Sequence, residues 1–240
     1  MKLTDKTAII TGASRGIGAA IAESLADLGC RVMLAARDCN ALAVLRDKIK
    51  TNGGTAEFTI CDMNCEDDIS NLVSSTVKTF GGLDVVVNNA GMGIYGRLED
   101  SRTEDWDMMM AVNARGPYLL CRYAIPHLRR SSRAFIINIG SVVSHKGYAE
   151  QAIYTASKHA LLGMSKSLAR ELQEDAIRVH AVCPGGVATE LVSRARPDLD
   201  LSVLMQPQEI ADVVTFLVTR RGNAVIDEIN LRRESSTPWA

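Results

Sequence analysis

From Thr11 to Gly18 the chain reads T-G-A-S-R-G-I-G, directly after the apolar run Lys6 to Ile10 and directly before the helical spacing of Ile17, Ala20, Ile21, Leu25 and Leu28. A glycine turn set between a strand and a helix lets the backbone turn tightly and approach a pyrophosphate, whose charge then meets the free N–H groups at the helix start. Gly12, Ser14, Arg15, Gly16, Ile17 and Gly18 are therefore candidate dinucleotide contacts, and Gly29 closes the helix. The rival reading is a plain turn, which the flanking strand and helix make less economical.

The pattern repeats along the 240 residues. Strands are expected at Arg31 to Ala36, Thr55 to Ile60, Leu83 to Val87, Ala134 to Ile139, Ile177 to Cys183 and Ala224 to Ile229. Between them lie helices at about Asn40 to Lys50, Glu66 to Phe80, two segments within Thr103 to Arg130, Ala152 to Leu172, and Ala211 to Thr219. Strand alternating with helix, without a repeat or a low-complexity linker, predicts a single-domain α/β Rossmann fold over residues 1–240. Its core would be a doubly wound, seven-stranded parallel sheet with helices on both faces and ligands at the strands' C-terminal ends.

Composition narrows the function. A net charge of -1 with interspersed signs provides no general field for nucleic acid, and Arg129, Arg130 and Arg133 read as a solvated helix end. The longest apolar runs are strand-sized, so no bilayer span is expected. Met1 to Ile10 reads as a first strand rather than a leader, and a cytoplasmic location is expected. The six cysteines, Cys30, Cys39, Cys61, Cys65, Cys121 and Cys183, form no C-x-x-C pair, which favours buried reduced thiols. Cys61 and Cys65 have no second pair and no nearby histidine in the sequence, so no metal site is expected.

Several strand ends carry candidate ligand groups. The second strand ends at Ala36-Arg37, where an NAD-preferring protein often places a carboxylate. Arg37 together with Arg15 would instead clamp a 2′-phosphate, so NADP(H) is the expected cofactor, while Asp38 reads as a helix cap. Asp62, next to Met63, would accept from an adenine amino group or cap the helix after Asn64. The turn Asn88 to Gly91 would let a cofactor pass Asn89, Ala90 and Gly91 while its amides stitch neighbouring strands, unless it is a plain turn. Asn113, an amide among Met108, Met109, Met110 and Val112, needs buried partners and would hold a helix break and a water. The sixth strand leads into Pro184-Gly185-Gly186-Val187-Ala188-Thr189.

Tyr154 and Lys158 stand four residues apart on a helical segment, hence on one face. Bringing a phenol from pKa ~10 towards neutrality requires roughly 4 kcal/mol. One ammonium about 4 Å away, at an effective dielectric near 20, supplies about that much. Ser141, just past the fifth strand, would hydrogen-bond a substrate carbonyl while the tyrosine protonates it. The rival reading is a packed ring and a solvated lysine.

Taken together, T-G-A-S-R-G-I-G, N-N-A-G, Asn113, Ser141, Y-T-A-S-K and P-G-G-V-A-T resemble the short-chain dehydrogenase/reductase family over nearly the whole chain. The resemblance implies that Tyr154 is the general acid/base, that Lys158 lowers its pKa and binds the nicotinamide ribose, and that Ser141 positions the carbonyl. It implies further that Asn113 holds a relay water, that Val187 and Thr189 (with Pro184 and Gly185 in the same turn) meet the nicotinamide, and that Asp62 and Met63 meet the adenine.

The likeness is broadest to bacterial 3-oxoacyl-carrier-protein reductases, through S-R-G-I-G, I-G-S-V-V and S-K-S-L-A-R-E. The two basic carrier-docking positions of those proteins are Ser132 and Asp175 here, and their glycine-rich end is replaced by I-N-L-R-R-E-S-S-T-P-W-A. The implied activity is NADPH-dependent reduction of a ketone or aldehyde, with a 3-oxoacyl thioester or small apolar carbonyl compound as substrate. Substrate loops are expected at Val142 to Gln151 and Glu190 to Met205, with Val142, Val143, Leu191, Leu199, Leu201, Leu204 and Met205 as apolar members. The helix from Ala152 is apolar or small on nearly every side until Ser165, so a homodimer or homotetramer through residues 103–130 and 152–172 is expected. The rival functions are an NADP-holding sensor or scaffold without turnover, and an epimerase or dehydratase, for which the short chain leaves little room.

Overall fold

The computed structural model describes residues 2–195, 200–220 and 222–238, and their side chains except at 194 and 195. Its strands are β1 (Thr7–Thr11), β2 (Arg31–Ala36), β3 (Thr55–Ile60), β4 (Val85–Asn88), β5 (Ala134–Ile139), β6 (Ile177–Pro184) and β7 (Glu228–Leu231). They form one sheet in the order β3-β2-β1-β4-β5-β6-β7, every pairing parallel. Its helices are α1 (Gly16–Asp27), α2 (Cys39–Thr51), α3 (Glu66–Phe80), α4 (Thr103–Met110), α5 (Gly116–Leu128), α6 (Ala152–Glu171), α7 (Glu190–Ala195) and α8 (Pro207–Thr219).

Parallel strands covered on both faces have no solvated side, so β1, β4 and β5 are buried at every position. One apolar layer packs Ile21 and Leu25 of α1 with Ile210 and Val214 of α8. The opposite layer packs Leu72 of α3, Leu119 and Leu120 of α5 and Leu168 of α6. The chain winds away from β1 in both directions, and the crevice where it does so, beside β4, opens at the strands' C-terminal ends.

Two boundaries differ from the sequence expectation by more than two residues. The last strand begins at Glu228 rather than Ala224, because residues ahead of it bond to side chains instead of a ladder: Arg178 Nη2 donates to the Gly222 carbonyl at 2.7 Å and His180 Nδ1 lies 2.6 Å from the Ile226 carbonyl. The final helix starts earlier, at Pro207, where Pro occupies the first turn and Glu209 closes a capping box with Gln206. The break expected near Asn113 is a π-helical turn, Ala111–Arg115, joining α4 to α5. No described helix is long and apolar enough to cross a membrane.

Candidate active site

A cleft of about 1650 Å³ runs along the C-terminal ends of the strands. At its first end the glycine turn is held open by the left-handed backbone of Gly12 (φ +65°) and Gly16 (φ +57°). A Cβ on Gly18 would lie 2.3 Å from the Gly12 carbonyl oxygen, so no side chain fits there. Asn89 Nδ2 donates to the carbonyls of Thr11 (2.8 Å) and Gly12 (3.3 Å). Thr11 Oγ1 accepts from the amides of Asn89 and Ala90, each at 3.0 Å, and donates to the Val87 carbonyl. The N-N-A-G turn thus stitches β4 to β1, and the Asn89 amide shapes the glycine cradle. Thr11, read in the sequence only as the first letter of a motif, is the peg of that stitch. The first turn of α1 carries no side-chain cap and no acidic residue.

Around the next part of the cleft the two arginines differ. Arg37 is exposed and makes no ion pair among the described residues, whereas Arg15 Nη1 lies 2.5 Å from Glu190 Oε2 of α7. Asp38 caps α2, accepting from the Ala41 amide at 3.0 Å, so its carboxylate is engaged away from Arg37. Asp62 lines the cleft and also accepts from the Asn64 amide at 2.9 Å, closing the turn that precedes α3. Met63 is buried, and a Cβ on Gly116 would meet its carbonyl oxygen at 2.7 Å, so α5 passes directly behind it.

At the other end the structure brings Asn113, Ser141, Tyr154 and Lys158 together. Asn113 is fully buried in the π turn; its Oδ1 accepts from the Met92 amide at 2.9 Å and its Nδ2 donates to the Met92 carbonyl (2.8 Å) and Ser157 Oγ (3.0 Å). A Cβ on Gly91 would lie 3.3 Å from Asn113 Oδ1 and 3.5 Å from Lys158 Nζ, so the two groups share one small space. Lys158 is buried and donates to the Ile139 carbonyl at 2.9 Å, and burial pushes its pKa down to about 8. Ser141 stands beside Tyr154, where its hydroxyl bears on the phenol.

One expectation is corrected here. Tyr154 does not sit below the usual phenol pKa but well above it, because burial outweighs every other influence; the neighbouring Tyr95 adds to the rise and the Ser141 hydroxyl opposes it. Lys158 Nζ lies over the Tyr154 ring, 5.9 Å from its centre, and donates to the Ile139 carbonyl. Burial therefore favours the protonated phenol at Tyr154.

Pro184, Gly185, Val187 and Thr189 also line the cleft, and a Cβ on Gly16 would touch Thr189 Cγ2 at 3.3 Å, which joins the turn after β6 to the glycine loop. Of the expected substrate-loop residues, Val142, Val143, Leu191 and Leu204 line the cleft. Met205 is instead buried in the apolar layer beside α8. Leu201 is exposed, and Leu199 lies outside the described residues.

Ile94, Tyr95 and Arg233, which the sequence reading did not single out, line the cleft, as do Met108 and Val112, read there only as the apolar surroundings of Asn113. Tyr95 packs edge-on against Tyr154, ring centres 5.6 Å apart. Its signal was available: an aromatic among the glycines of G-M-G-I-Y-G, just past a strand end.

Residues 6–200 match the model of the short chain dehydrogenase family. The chain belongs to that family. This family member is 38% identical over 202 residues to an uncharacterized oxidoreductase of Thermotoga maritima, covering 82% of this chain and 78% of the relative. It is 31% identical over 233 residues to an uncharacterized oxidoreductase of Staphylococcus saprophyticus, covering 97% and 99%. Among solved structures it resembles a metagenomic short-chain oxidoreductase in complex with NADP, with TM-score 0.85, 39% identity and coverage of 96% of this chain and 98% of that one. An alcohol dehydrogenase from the archaeon Thermococcus sibiricus, complexed with 5-hydroxy-NADP, aligns with TM-score 0.90, 28% identity and coverage of 97% and 98%. The chain is an oxidoreductase of the short-chain dehydrogenase family.

A dinucleotide fits the residues present. The cradle at Gly12 and Gly18 excludes side chains, the helix start beside it is uncapped and free of acidic residues, and Arg37, just past β2, makes no ion pair among the described residues.

Proposed function

We propose that this chain is an NADPH-dependent reductase that converts a ketone or aldehyde to an alcohol. The observation that carries this reading is that Ser141, Tyr154 and Lys158 line one cleft with the glycine cradle. When bound, NADPH supplies hydride. Gly12, Ser14, Arg15, Gly16, Ile17 and Gly18 would hold its phosphates, Arg15 and Arg37 its 2′-phosphate, Asp62 and Met63 its adenine. Asn89, Ala90, Gly91, Lys158, Pro184, Gly185, Val187 and Thr189 would line its path to Tyr154. Ser141 turns its hydroxyl to the substrate oxygen, and Tyr154 gives that oxygen its proton. Asn113 holds the π turn against Met92 beside Lys158, where a water can pass protons inward.

Tyr154 packs with Tyr95, Val142 and Val143, and the apolar Ile94, Met108, Leu191 and Leu204 also line the cleft. They suit a small apolar carbonyl compound or the acyl part of a free 3-oxoacyl thioester. A carrier protein is disfavoured, because Asp175 is acidic and paired with Arg129 at 2.9 Å, while Ser132 accepts from Lys6 at 3.3 Å.

Oxidation of NADPH against 3-oxoacyl thioesters, diketones and aromatic ketones tests the reading; tight NADPH binding with no carbonyl reduced would replace it with a sensor. Arg37→Ala is expected to lower the preference for NADPH over NADH by about 10-fold or more, since a charge-assisted bond to phosphate is worth roughly 1.5–3 kcal/mol. Equal losses with both coenzymes would remove Arg37 from the clamp.

Self-association is part of the proposal. Trp106 of α4 and Tyr118 of α5 are exposed, and Ala152, His159 and Gly163 are exposed on α6. Helices that expose small residues and aromatics together suit pairing with their copies. Tyr118→Glu is expected to move the mass measured by light scattering towards the monomer, and an unchanged mass would place the contact elsewhere.

A further inference from the structure

Behind the Ser141 turn lies a second cluster that the reductase reading does not use. His145 follows the short helical turn Val142–Ser144, Cys183 lies near the end of β6, and Glu228 opens β7. One ligand atom from each of the three lies within 4.8 Å of the others. His145 Nε2 is 2.7 Å from Glu228 Oε1, and Asn230 Nδ2 donates to that same carboxylate oxygen at 2.5 Å. Cys183 forms the floor: it is 1% exposed, and a Cβ on Gly140 would lie 2.8 Å from its sulfur. His145 and Glu228 form the solvent side, with side chains 35% and 22% exposed.

We propose that His145, Cys183 and Glu228 form a zinc-binding site. Thiolate, imidazole and carboxylate together match a borderline-soft divalent ion better than a hard one. With Zn–S about 2.3 Å and Zn–N or Zn–O about 2.0–2.2 Å, tetrahedral ligands stand roughly 3.4–3.6 Å apart. The cluster meets that spacing if the His145–Glu228 pair opens by about 0.7 Å and the widest pair closes by about 1.2 Å. Binding displaces the Cys183 proton to solvent and forms the Zn–S bond; no electron moves. The fourth position faces solvent and takes water. Asn230 acts as the outer partner that orients the Glu228 carboxylate. The ion would tie the turn that carries Ser141 to the outermost strand, β7, which otherwise pairs only with β6.

The test uses the full chain, freed of metal with a chelator, and cobalt(II) or zinc alone as the probe. Cobalt(II) is expected to give a thiolate charge-transfer band at one equivalent, and zinc to displace it and raise the melting temperature. Cys183→Ser should abolish the band. His145→Ala, on the solvent side and so safe for folding, should weaken zinc binding by at least the 10–100-fold typical of disturbing a metal's outer partners. A double Cys39→Ser/Cys65→Ser variant should leave the band intact, since those are the exposed cysteines. Absence of a thiolate band, its loss only in the double variant, or unchanged affinity in His145→Ala would each overturn the site.

Discussion

Tyr154→Phe is expected to lower turnover about 10²–10⁴-fold while coenzyme affinity and melting temperature barely change. Phenylalanine keeps the ring against Tyr95 and within the Met109, Val143 and Ile153 cluster, so only the phenolic oxygen is lost. Because burial holds the phenol well above its ordinary pKa, the proposed acid Tyr154 would carry its proton at neutral pH. Reduction should therefore be nearly flat across neutral pH. The reverse oxidation, which needs the phenolate, should climb steadily into the alkaline range. Steady-state rates in both directions, from pH 6 to 10, check this. Activity surviving in the variant, or a reduction rate that falls through neutrality, would mean the proton comes from another group.

Lys158→Met should abolish useful turnover and yet stabilise the folded chain. A depression from 10.5 to about 8 for a buried ammonium corresponds to roughly 3 kcal/mol of folding free energy lost at neutral pH. The sign follows from proton counts. Between the folded and unfolded pKa values the unfolded chain binds more protons, so this penalty is fully present below about 8 and fades as pH rises towards 10.5. Methionine removes the charge but leaves the Ile139 carbonyl without its donor, which costs about 1–3 kcal/mol. The net gain at pH 7 is expected to be about 0–2 kcal/mol, shrinking to nothing or reversing near pH 10. Denaturant melts of both proteins at pH 7 and pH 10 measure it. A variant less stable than the parent at pH 7 would mean that the buried ammonium is compensated more fully than its surroundings suggest.

That trade-off locates what sequence reasoning reached. A strand run, a glycine turn, a capping aspartate and a four-residue spacing are local patterns, and local patterns set backbone conformation and the face on which a side chain lies. The boundaries of β2, β3, β5 and α3, the cap at Asp38, the helix break at Asn113 and the placing of Tyr154 and Lys158 on one helix were all legible in this way. Family resemblance supplied roles for the same residues, and the match over residues 6–200 places the chain in that family.

Tertiary structure alone decided the electrostatics and the partners. Whether Lys158 or burial governs Tyr154 depends on where Nζ points and on how many apolar groups close over the ring; the chosen carbonyl, Ile139, lies 19 residues away in the chain. The pairing of Arg15 with Glu190, the packing of Tyr95 on Tyr154 and the meeting of His145, Cys183 and Glu228 join segments with no common local pattern. The parallel sheet makes those meetings: each crossover returns the chain to the same edge, so the strand ends, distant in sequence, gather their side chains at one rim. The amino-acid sequence determined which groups arrive at that rim, and only the packing of the folded chain decided which of them touch, because charge and proton affinity depend on neighbours a few ångströms away rather than on neighbours in the chain.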